Sequence, residues 1–448
     1  MAREFDLVVI GAGQAASPLV EGLKEKDWSL AVIERSSPGG SCVNFGCTPT
    51  KAVLWASRVL SLARRGSDYG LSITVEPPSL EAVLKKAREI VAESVASLRK
   101  EFGENPLLIE GEARFLGRED GKILLGVGDE RILAGKVVIN VGTRSIIPSV
   151  KGLSEVSCIT SENWIERNDL PPRLAILGGG YIAAEMSQFY ARMGSEVTVI
   201  EKGKQLLAKE DEEVGDAICT VLEEEGIRLL YERHLDSVEK TDAGLKLHMG
   251  EETIEVDAIF VAVGRQPNTS DLGLETLGIE VDEKGFVKVD PQLKTTADGV
   301  YAAGDVRGGP MFTHTAWDDG RVILTDLVGG ERPSTDRVVP YAIFTDPQLG
   351  RVGMTESEAK EKGIEFDARK FDLRHNGIAH ATRQTKGFVK VLVTKDDRIL
   401  GATVLAPEGA DLAQLFSVFV ACKLSASEFR KLLVTHPTWS EAAQSAIL

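Results

Sequence analysis

The hydrophobic pattern of this 448-residue chain occurs twice. An apolar run at 5–10 leads into a glycine-rich turn, a helix-like stretch and a second apolar run at 29–34. The same order returns at 173–177, 178–183 and 196–201. Short apolar runs bounded by glycine predict buried strands, and alternating strands and helices predict an α/β fold. We therefore expect two strand–turn–helix–strand units.

Both units have the spacing of a dinucleotide-binding fingerprint. Small residues allow a tight turn whose helix N-terminus receives the pyrophosphate, and an acid after the second strand binds the ribose. In both units the acid follows the first glycine by 23 residues. One such motif can arise by chance, but two copies in register predict two dinucleotide sites. Their residues are Gly11, Gly13, Ala16 and Glu34, then Gly178, Gly180, Ala183 and Glu201.

The remaining pattern predicts what connects and follows these units. Residues 78–102 have apolar positions at helical spacing with Ser79 as the N-cap, which indicates a packed connecting helix. Short strand-like runs follow at 107–109, 123–125 and 136–141, and a turn at Pro148 leads into the second unit. From about Val339 strands and helices mix without a further fingerprint. This change predicts a third domain that binds no nucleotide.

Composition narrows the function classes. The chain has 43% hydrophobic and 27% charged residues, which excludes intrinsic disorder, and its length suggests about three domains. A net charge of −16 without a basic cluster argues against nucleic acid as a partner. No apolar stretch is long enough to span a membrane, and the N-terminus lacks a signal-peptide pattern. With five cysteines, we expect a cytoplasmic protein in a reducing compartment.

Two cysteines stand directly after the first unit, in Gly39-Gly40-Ser41-Cys42-Val-Asn-Phe-Gly-Cys47. Their spacing allows a short disulfide loop. Pro49, near the start of a helical run at 52–62, places Cys47 close to a helix N-terminus, where the dipole favours a thiolate. A buried structural pair is the alternative. The position beside a dinucleotide fingerprint favours a redox pair.

These motifs together resemble the class I flavoprotein (pyridine nucleotide) disulfide oxidoreductases, the family of dihydrolipoamide dehydrogenase, glutathione reductase and mercuric reductase. The similarity covers essentially the whole chain and rests on ordered segments at 39–51, 261–268, 304–305 and 436–441. It implies two Rossmann-like dinucleotide-binding domains and a C-terminal α+β dimerisation domain. The implied ranges are 1–150 with 273–338 for FAD, 151–272 for NAD(P)H, and 339–448 for the interface.

The resemblance also implies cofactor contacts. Glu34 would bind the adenosine ribose of FAD, and Asp305 its ribityl chain. Lys51 and Glu185 match a charged pair beside the flavin, where Lys51 would stabilise the reduced anion; a surface salt bridge is the alternative. Tyr181 resembles a residue that gates the nicotinamide pocket, with simple packing as the alternative. The further implied cofactor contacts are Gly40, Ser41, Gly142, Thr313 and Gly264.

The implied catalytic residues divide between two distant segments. Cys47 would lie nearer the flavin, while Cys42 would be the interchange thiol that attacks the substrate. His436 would transfer protons, oriented by Glu441, five residues further on. In the family this histidine reaches the disulfide of the other subunit, so we expect a homodimer with two shared active sites. We expect the histidines at 234, 248, 375 and 380 to be solvated or packed.

Cofactor preference and substrate are less defined by the motifs. Glu201 should repel a 2′-phosphate and favour NADH, whereas Lys202 and Lys204 leave NADPH as the alternative. We expect no resident metal site. Segments 312–319 and 341–353 are similar to mercuric-reductase-like enzymes, including bacterial reactive-chlorine-resistance flavoproteins, although the chain lacks the C-terminal cysteine pair of the well-known mercuric reductases.

We interpret the protein as a mercuric-reductase-like NAD(P)H oxidoreductase that reduces a thiophilic metal ion or a small disulfide. One alternative is dihydrolipoamide dehydrogenase, although Val434 and Thr435 before His436 match that enzyme incompletely. The other is a flavin-binding redox sensor without turnover. The complete set of cysteines and acid–base residues argues against the sensor.

Overall fold

The computed structural model describes residues 2–103 and 105–448. Within them, seven strands form the first sheet, which has a parallel centre and an antiparallel edge. Its apolar strands are buried on both faces, as parallel strands covered by helices must be. In sheet order they are Leu107–Glu110, Leu30–Glu34, Arg3–Ile10, Glu130–Ile139, Lys122–Val127 and Ala113–Glu119, with Val300–Ala302 also pairing with Glu130–Ile139.

A second parallel sheet repeats the arrangement. It contains Arg228–Leu230, Glu196–Ile200, Arg173–Leu177 and Ala258–Val261. An antiparallel sheet of Ser237–Thr241, Gly244–Met249 and Glu252–Val256 packs against it through a shared apolar core. The short pair Thr143–Ser145 and Arg265–Pro267 joins the chain segments that border the first two sheets.

The C-terminal part contains an antiparallel sheet. Its order is Tyr341–Ile343, Gln348–Gly353, Ile399–Ala406, Phe388–Thr394 and Phe366–Asp372. The helix Gly409–Ala421 covers one face and buries Phe416 against it. An α+β architecture was expected for this C-terminal part, and the sheet with its helices has it.

The helices lie on and between these sheets. The predicted connecting helix is confirmed as Leu80–Glu101, with the Ser79 hydroxyl accepting a hydrogen bond from the Ala82 N–H. None of the helices in the described ranges has the length and apolar character needed to cross a bilayer. The helix bounds are Ala16–Leu23, Gly40–Asn44, Cys47–Arg64, Leu80–Glu101, Tyr181–Met193, Glu212–Glu224, Thr313–Leu327, Glu356–Glu361, Gly377–Ala381, Gly409–Ala421, Ala426–Arg430 and Ser440–Ser445.

The two glycine-rich turns have the same geometry. Gly11 and Gly178 follow the central strands with φ of +101° and +111°, a region that side chains disfavour. A Cβ on Gly11 would lie 2.3 Å from the Asn140 carbonyl oxygen, and one on Gly178 would lie 2.5 Å from the Ala262 carbonyl oxygen. Both turns therefore require glycine, and the internal duplication of the α/β unit is confirmed.

Candidate active site

Most of the residues singled out by the sequence border one cavity of about 1110 Å³. Its wall is built from both glycine-turn units and from the C-terminal sheet. The predicted residues that line it are Gly11, Gly13, Glu34, Gly40, Ser41, Cys42, Cys47, Lys51, Gly142, Tyr181, Glu185, Asp305 and Thr313. Among the described residues, Ala16, Gly178, Gly180, Glu201, Gly264, His436 and Glu441 are not part of this wall.

One end of the cavity has the features of a dinucleotide site. Glu34 ends its strand and accepts hydrogen bonds at Oε2 from the Ala12 N–H (2.9 Å) and at Oε1 from the Ser36 N–H (2.9 Å). The same carboxylate faces the cavity, where it can accept from ribose hydroxyls. A Cβ on Gly40 would lie 3.0 Å from the Gly13 Cα, so the two loops approach closely. This packing leaves backbone, not side chains, facing a bound pyrophosphate.

A second acid lies deeper in the cavity. Asp305 follows the buried strand Val300–Ala302, and the Thr143 hydroxyl donates to its Oδ2 at 3.2 Å. Burial raises the pKa of Asp305 above its usual range. A buried carboxylate with few donors gains from an additional hydrogen-bond donor such as a ribityl hydroxyl. The cavity has an acid near each end, a glycine turn at one end and a volume of about 1110 Å³. These features fit an FAD.

The two cysteines lie together at the start of two helices. Cys42 is in Gly40–Asn44 and Cys47 begins Cys47–Arg64; both are free thiols. The turn between them depends on Gly46, whose N–H donates to the Ser41 carbonyl oxygen at 2.6 Å. A Cβ on Gly46 would lie 2.7 Å from that same oxygen, so the turn excludes a side chain. The pair is therefore held in a short loop at a helix N-terminus.

The environment of the pair gives the two thiols different acidities. The hydrogen bond from Cys42, supported by Thr313 and by the charge of Lys51, outweighs burial and lowers the pKa of Cys47 to about 6. The same hydrogen bond and burial raise the pKa of Cys42. The Thr313 hydroxyl lies 3.1 Å from the Cys47 sulfur, at the N-terminus of Thr313–Leu327. This environment favours a thiolate on Cys47 over one on Cys42.

Lys51 and Glu185 form a partly buried ion pair. The Lys51 Nζ donates to both oxygens of Glu185, at 3.0 and 2.9 Å, and Glu185 is only 3% exposed. The Phe344 N–H also donates to Glu185 at 2.7 Å, and the Phe344 ring lies under the ammonium group. The pair therefore lies at the cavity wall, with Glu185 buried and Lys51 partly exposed.

The second glycine turn lies beside the cavity. Glu201 directly follows the strand Glu196–Ile200, and its Oε1 accepts from the Gly203 N–H at 2.6 Å. Its other oxygen would lie 2.7 Å from a Cβ on Gly179, so the carboxylate reaches the turn as a ribose ligand must. Tyr181 begins the helix Tyr181–Met193, lines the cavity and is 40% exposed.

His436 and Glu441 form a hydrogen-bonded pair in the C-terminal part. The His436 Nδ1 lies 2.9 Å from Glu441 Oε1, and Glu441 Oε2 accepts from the Thr438 N–H at 2.9 Å. The hydrogen bond with His436 lowers the pKa of Glu441. The imidazole is 75% exposed and borders no part of the cavity wall in its own chain. One chain therefore does not bring His436 to Cys42.

Comparison with known proteins identifies the family. The family model for pyridine nucleotide-disulphide oxidoreductases matches residues 5–320, and the model for the dimerisation domain of these enzymes matches residues 339–447. The chain belongs to the pyridine nucleotide-disulphide oxidoreductase family. The predicted family, its mixed α/β fold and its enzyme class are confirmed. Members of this family are flavoprotein enzymes that use FAD and a pyridine nucleotide, and the dimerisation domain supports a homodimer.

Relatives cover the chain almost completely. The probable pyridine nucleotide-disulfide oxidoreductase RclA of Escherichia coli is 32% identical over 446 residues, 98% of each chain. A mercuric reductase of Bacillus cereus is 32% identical over 456 residues, 99% of this chain and 71% of the relative. The mitochondrial dihydrolipoyl dehydrogenase of Pisum sativum is 30% identical over 457 residues, 99% of this chain and 91% of the relative.

Solved structures agree with this family assignment. The HOCl-induced flavoprotein disulfide reductase RclA from Escherichia coli matches with a TM-score of 0.90 at 30% identity, over 99% of both chains. The structure of its Cu(II) complex matches with a TM-score of 0.89 at 31% identity, over 97% of this chain and 98% of the other.

The sequence reasoning missed several residues of this oxidoreductase site. Asn140 closes the first turn, since its Nδ2 donates to the Gly11 carbonyl oxygen at 2.9 Å. Trp164 holds the dithiol loop through a 2.8 Å hydrogen bond from its indole N–H to the Phe45 carbonyl oxygen. The Phe344 ring packs against the Lys51 ammonium group, with 4.6 Å between the nitrogen and the ring centroid. Asn140 and Phe344 directly follow strands and Trp164 lies in a short turn, and neither position reveals contacts across more than a hundred residues.

Proposed function

We propose that this protein is an NADH-dependent flavoprotein reductase that passes electrons through Cys42 and Cys47 to a thiophilic metal ion or a small disulfide. The observation that carries the proposal is the pair of free thiols at the cavity wall, one of them stabilised as a thiolate. A structural pair would have no need of this environment. The five cysteines without a disulfide among them fit a reducing, cytoplasmic setting.

The residues of the chain supply the steps around the cofactor. Bound FAD would supply two-electron redox chemistry between the pyridine nucleotide and the Cys42–Cys47 pair. Lys51, whose ammonium group is held by Glu185, would place a positive charge beside the bound cofactor. Cys47 remains as the thiolate beside Thr313, and Cys42 becomes the thiol that meets the acceptor. Closure of the disulfide releases two electrons, which reduce one disulfide, one Hg(II) to Hg(0), or two Cu(II) to two Cu(I).

A soft metal ion suits this site because thiolates are the ligands that such ions prefer. The three other cysteines stand apart: Cys158 and Cys219 lie in the second unit, and Cys422 ends the helix Gly409–Ala421. A mercury relay through a C-terminal pair is therefore not supported. The match to the Cu(II) complex of RclA favours Cu(II) over Hg(II) as the first acceptor to test.

Proton transfer requires a second subunit. His436 is exposed and oriented by Glu441, but it does not border the cavity of its own chain. We infer that the dimerisation domain brings the partner subunit's His436 to Cys42, which makes two shared sites. The histidine would take the proton from Cys42 before attack and return one to the leaving thiolate.

The environment of Glu201 supports NADH. Its carboxylate is fixed by the Gly203 N–H, where it can accept from both ribose hydroxyls and repel a phosphate. Lys202 and Lys204 directly follow Glu201 and form no salt bridge among the described residues, so their positive charges could attract a 2′-phosphate. NADPH is therefore the alternative to test.

The second candidate function is dihydrolipoamide dehydrogenase. The Pisum sativum relative and the acid–base pair at 436 and 441 favour it.

The test is a turnover assay with a panel of acceptors. Purified holoenzyme is supplied with NADH or NADPH and with Cu(II), Hg(II), lipoamide or glutathione disulfide. We expect NADH and Cu(II) to give the highest kcat/KM, and Cys42→Ser to lower it by roughly a hundredfold or more while FAD stays bound. Cys158→Ser is the matched control and should change nothing. Full Cu(II) turnover in Cys42→Ser would overturn the proposal, and lipoamide as the best acceptor would favour the second candidate.

A further inference from the structure

A buried glutamate joins the second glycine turn to the cavity wall. Glu210 is 8% exposed and lies in the segment that connects the strand Glu196–Ile200 to the helix Glu212–Glu224. Its Oε1 accepts a hydrogen bond from the hydroxyl of Tyr341. Its Oε2 faces the Arg351 Nε at 3.4 Å, and Arg351 is 2% exposed. Burial raises the pKa of Glu210, and the charge of Arg351 and the hydrogen bond from Tyr341 oppose that shift.

Its two partners come from one place in the C-terminal sheet. Tyr341 and Arg351 are directly opposite each other in the antiparallel pair Tyr341–Ile343 and Gln348–Gly353. Arg351 is itself held by the Thr403 hydroxyl at 2.6 Å. The sheet therefore presents one hydroxyl donor, on Tyr341, and one guanidinium charge, on Arg351, to a carboxylate of another part of the chain. We call Glu210, Tyr341 and Arg351 the clasp.

On one side the clasp reaches the redox cavity. Tyr341 lines the cavity, and its ring stacks on Phe312 with centroids 5.3 Å apart and planes 11° from parallel. Phe312 is the N-cap residue of the helix that begins with Thr313, whose hydroxyl contacts Cys47. Tyr341 is thus linked to Cys47 through the Phe312 ring and the hydroxyl of the neighbouring Thr313.

On the other side the clasp reaches the second glycine turn. The Glu210 N–H donates to the Leu207 carbonyl oxygen at 2.7 Å, and the Leu207 N–H donates to the Gly179 carbonyl oxygen at 2.8 Å. Gly179 lies between Gly178 and Gly180 of the fingerprint. The next residue, Asp211, accepts from the backbone N–H groups of Glu356 and Ser357, which fixes the same segment to the C-terminal part.

We propose that Glu210 is a positioning residue for pyridine nucleotide: through Tyr341 and Arg351 it fixes the Gly178–Gly180 turn relative to the wall that carries Thr313 and Cys47. It touches neither nucleotide nor thiol. Its role is to hold the nucleotide-binding turn at the distance and angle that hydride transfer into the cavity requires. The inference rests on the proposed assignment of this turn to NADH.

The test separates the two half-reactions of the holoenzyme. Anaerobic flavin reduction is measured against NADH concentration, and reoxidation of the prereduced enzyme is measured with Cu(II). Tyr341→Phe, which keeps the stacked ring, and Glu210→Gln should each raise the half-saturating NADH concentration roughly tenfold. The double variant should add little, since both changes break one clasp. Reoxidation should stay within about twofold of the unmodified enzyme.

Tyr301→Phe is the matched control. Tyr301 also donates to a carboxylate, Asp326, at 2.7 Å, but it lies outside the cavity wall. It should change neither half-reaction. FAD content and the thermal midpoint of each variant show whether that variant is folded. If Tyr341→Phe does not fold, the NADH titration of Glu210→Gln provides the test.

Two results would overturn the inference. One is an unchanged NADH half-saturation in both clasp variants; the other is an equal slowing of both half-reactions, which would assign the clasp to the dithiol wall alone. Glu201→Ala distinguishes this failure from failure of the proposed function. If Glu201→Ala raises the NADH half-saturation and the clasp variants do not, only the clasp is wrong. If Glu201→Ala has no effect either, the nucleotide assignment itself is wrong.

Discussion

At the residue scale, the chemistry depends on the asymmetry between two neighbouring thiols. Cys47 receives hydrogen bonds from Cys42 and Thr313 and lies near the Lys51 ammonium group. The pKa of Cys42 shifts in the opposite direction because Cys42 is the donor of the shared hydrogen bond and is partly buried. The thiolate is therefore present before any acceptor arrives, and Cys42 keeps a proton until a base removes it.

This asymmetry predicts a pH dependence. The pKa of Cys47 is lowered to about 6, so its thiolate is present above that pH and is lost as the pH falls through it. We expect the long-wavelength absorbance of the two-electron-reduced holoenzyme, which requires the thiolate, to be complete at about pH 8 and half lost near pH 6. Lys51→Met should move the midpoint upward because it removes a positive charge. A midpoint near 9 in the unmodified enzyme would contradict this account.

The sequence predicted these residues but not their environment. The spacing of Cys42 and Cys47 and the position of Pro49 indicated a thiolate near a helix N-terminus. Thr313 lies 266 residues from Cys47, and only the tertiary fold brings the two together. The Lys51–Glu185 pair was expected, but its burial under Phe344 depends on a strand of the C-terminal sheet.

At the element scale, local signals predicted most of the secondary structure near the site. The helix expected at 52–62 extends from Cys47 to Arg64. The difference has a physical reason: Pro49 lies in the first turn, where a missing N–H breaks no helical hydrogen bond. The helix thus begins at Cys47 itself, which strengthens the dipole effect on its thiol.

The second glycine turn provides a prediction for one element. Gly178 has φ +111° and no room for a Cβ, whereas Gly180 has φ −80° and open space around its Cβ position. We expect Gly180→Ala to fold with an unchanged thermal midpoint and normal FAD content. It should nevertheless raise the half-saturating NADH concentration by roughly tenfold, because a methyl group would block close approach of the pyrophosphate. Gly178→Ala should instead destabilise the protein.

Thermal melts and NADH titrations of the two variants check this prediction. Normal NADH binding by a folded Gly180→Ala enzyme would show that the pyrophosphate does not approach this turn. A stable Gly178→Ala enzyme would contradict the steric argument at the first position.

At the scale of the whole molecule, the site is assembled from distant parts of the chain. The domain ranges predicted from the motifs remain a proposal, and so does the cytoplasmic location. The C-terminal sheet supplies Phe344 to the cavity, while His436 faces outward from the same part of the chain. The sequence suggested shared sites only through family resemblance, because spacing along a chain cannot show which subunit a residue serves.

Subunit mixing tests the shared site. Cys42→Ser and His436→Ala homodimers should each be nearly inactive with a disulfide acceptor. In a mixed dimer, one site would combine Cys42 of the second variant with the intact histidine of the first. Random reassociation of equal amounts should therefore restore about a quarter of the unmodified activity. No recovery, with mixed dimers demonstrated by two affinity tags, would place both residues of each site in one subunit.

We propose that the Cys42–Cys47 dithiol is the group that reduces the acceptor, a thiophilic metal ion or a small disulfide. The measurement reduces the holoenzyme anaerobically with one equivalent of NADH per subunit, removes the pyridine nucleotide, and adds Cu(II) in steps. Cu(I) and accessible thiols are counted together. The account predicts two Cu(I) formed per subunit with the loss of two thiols, because one disulfide releases two electrons. Cu(I) formation with both thiols still present, or no Cu(I) at all, would contradict it.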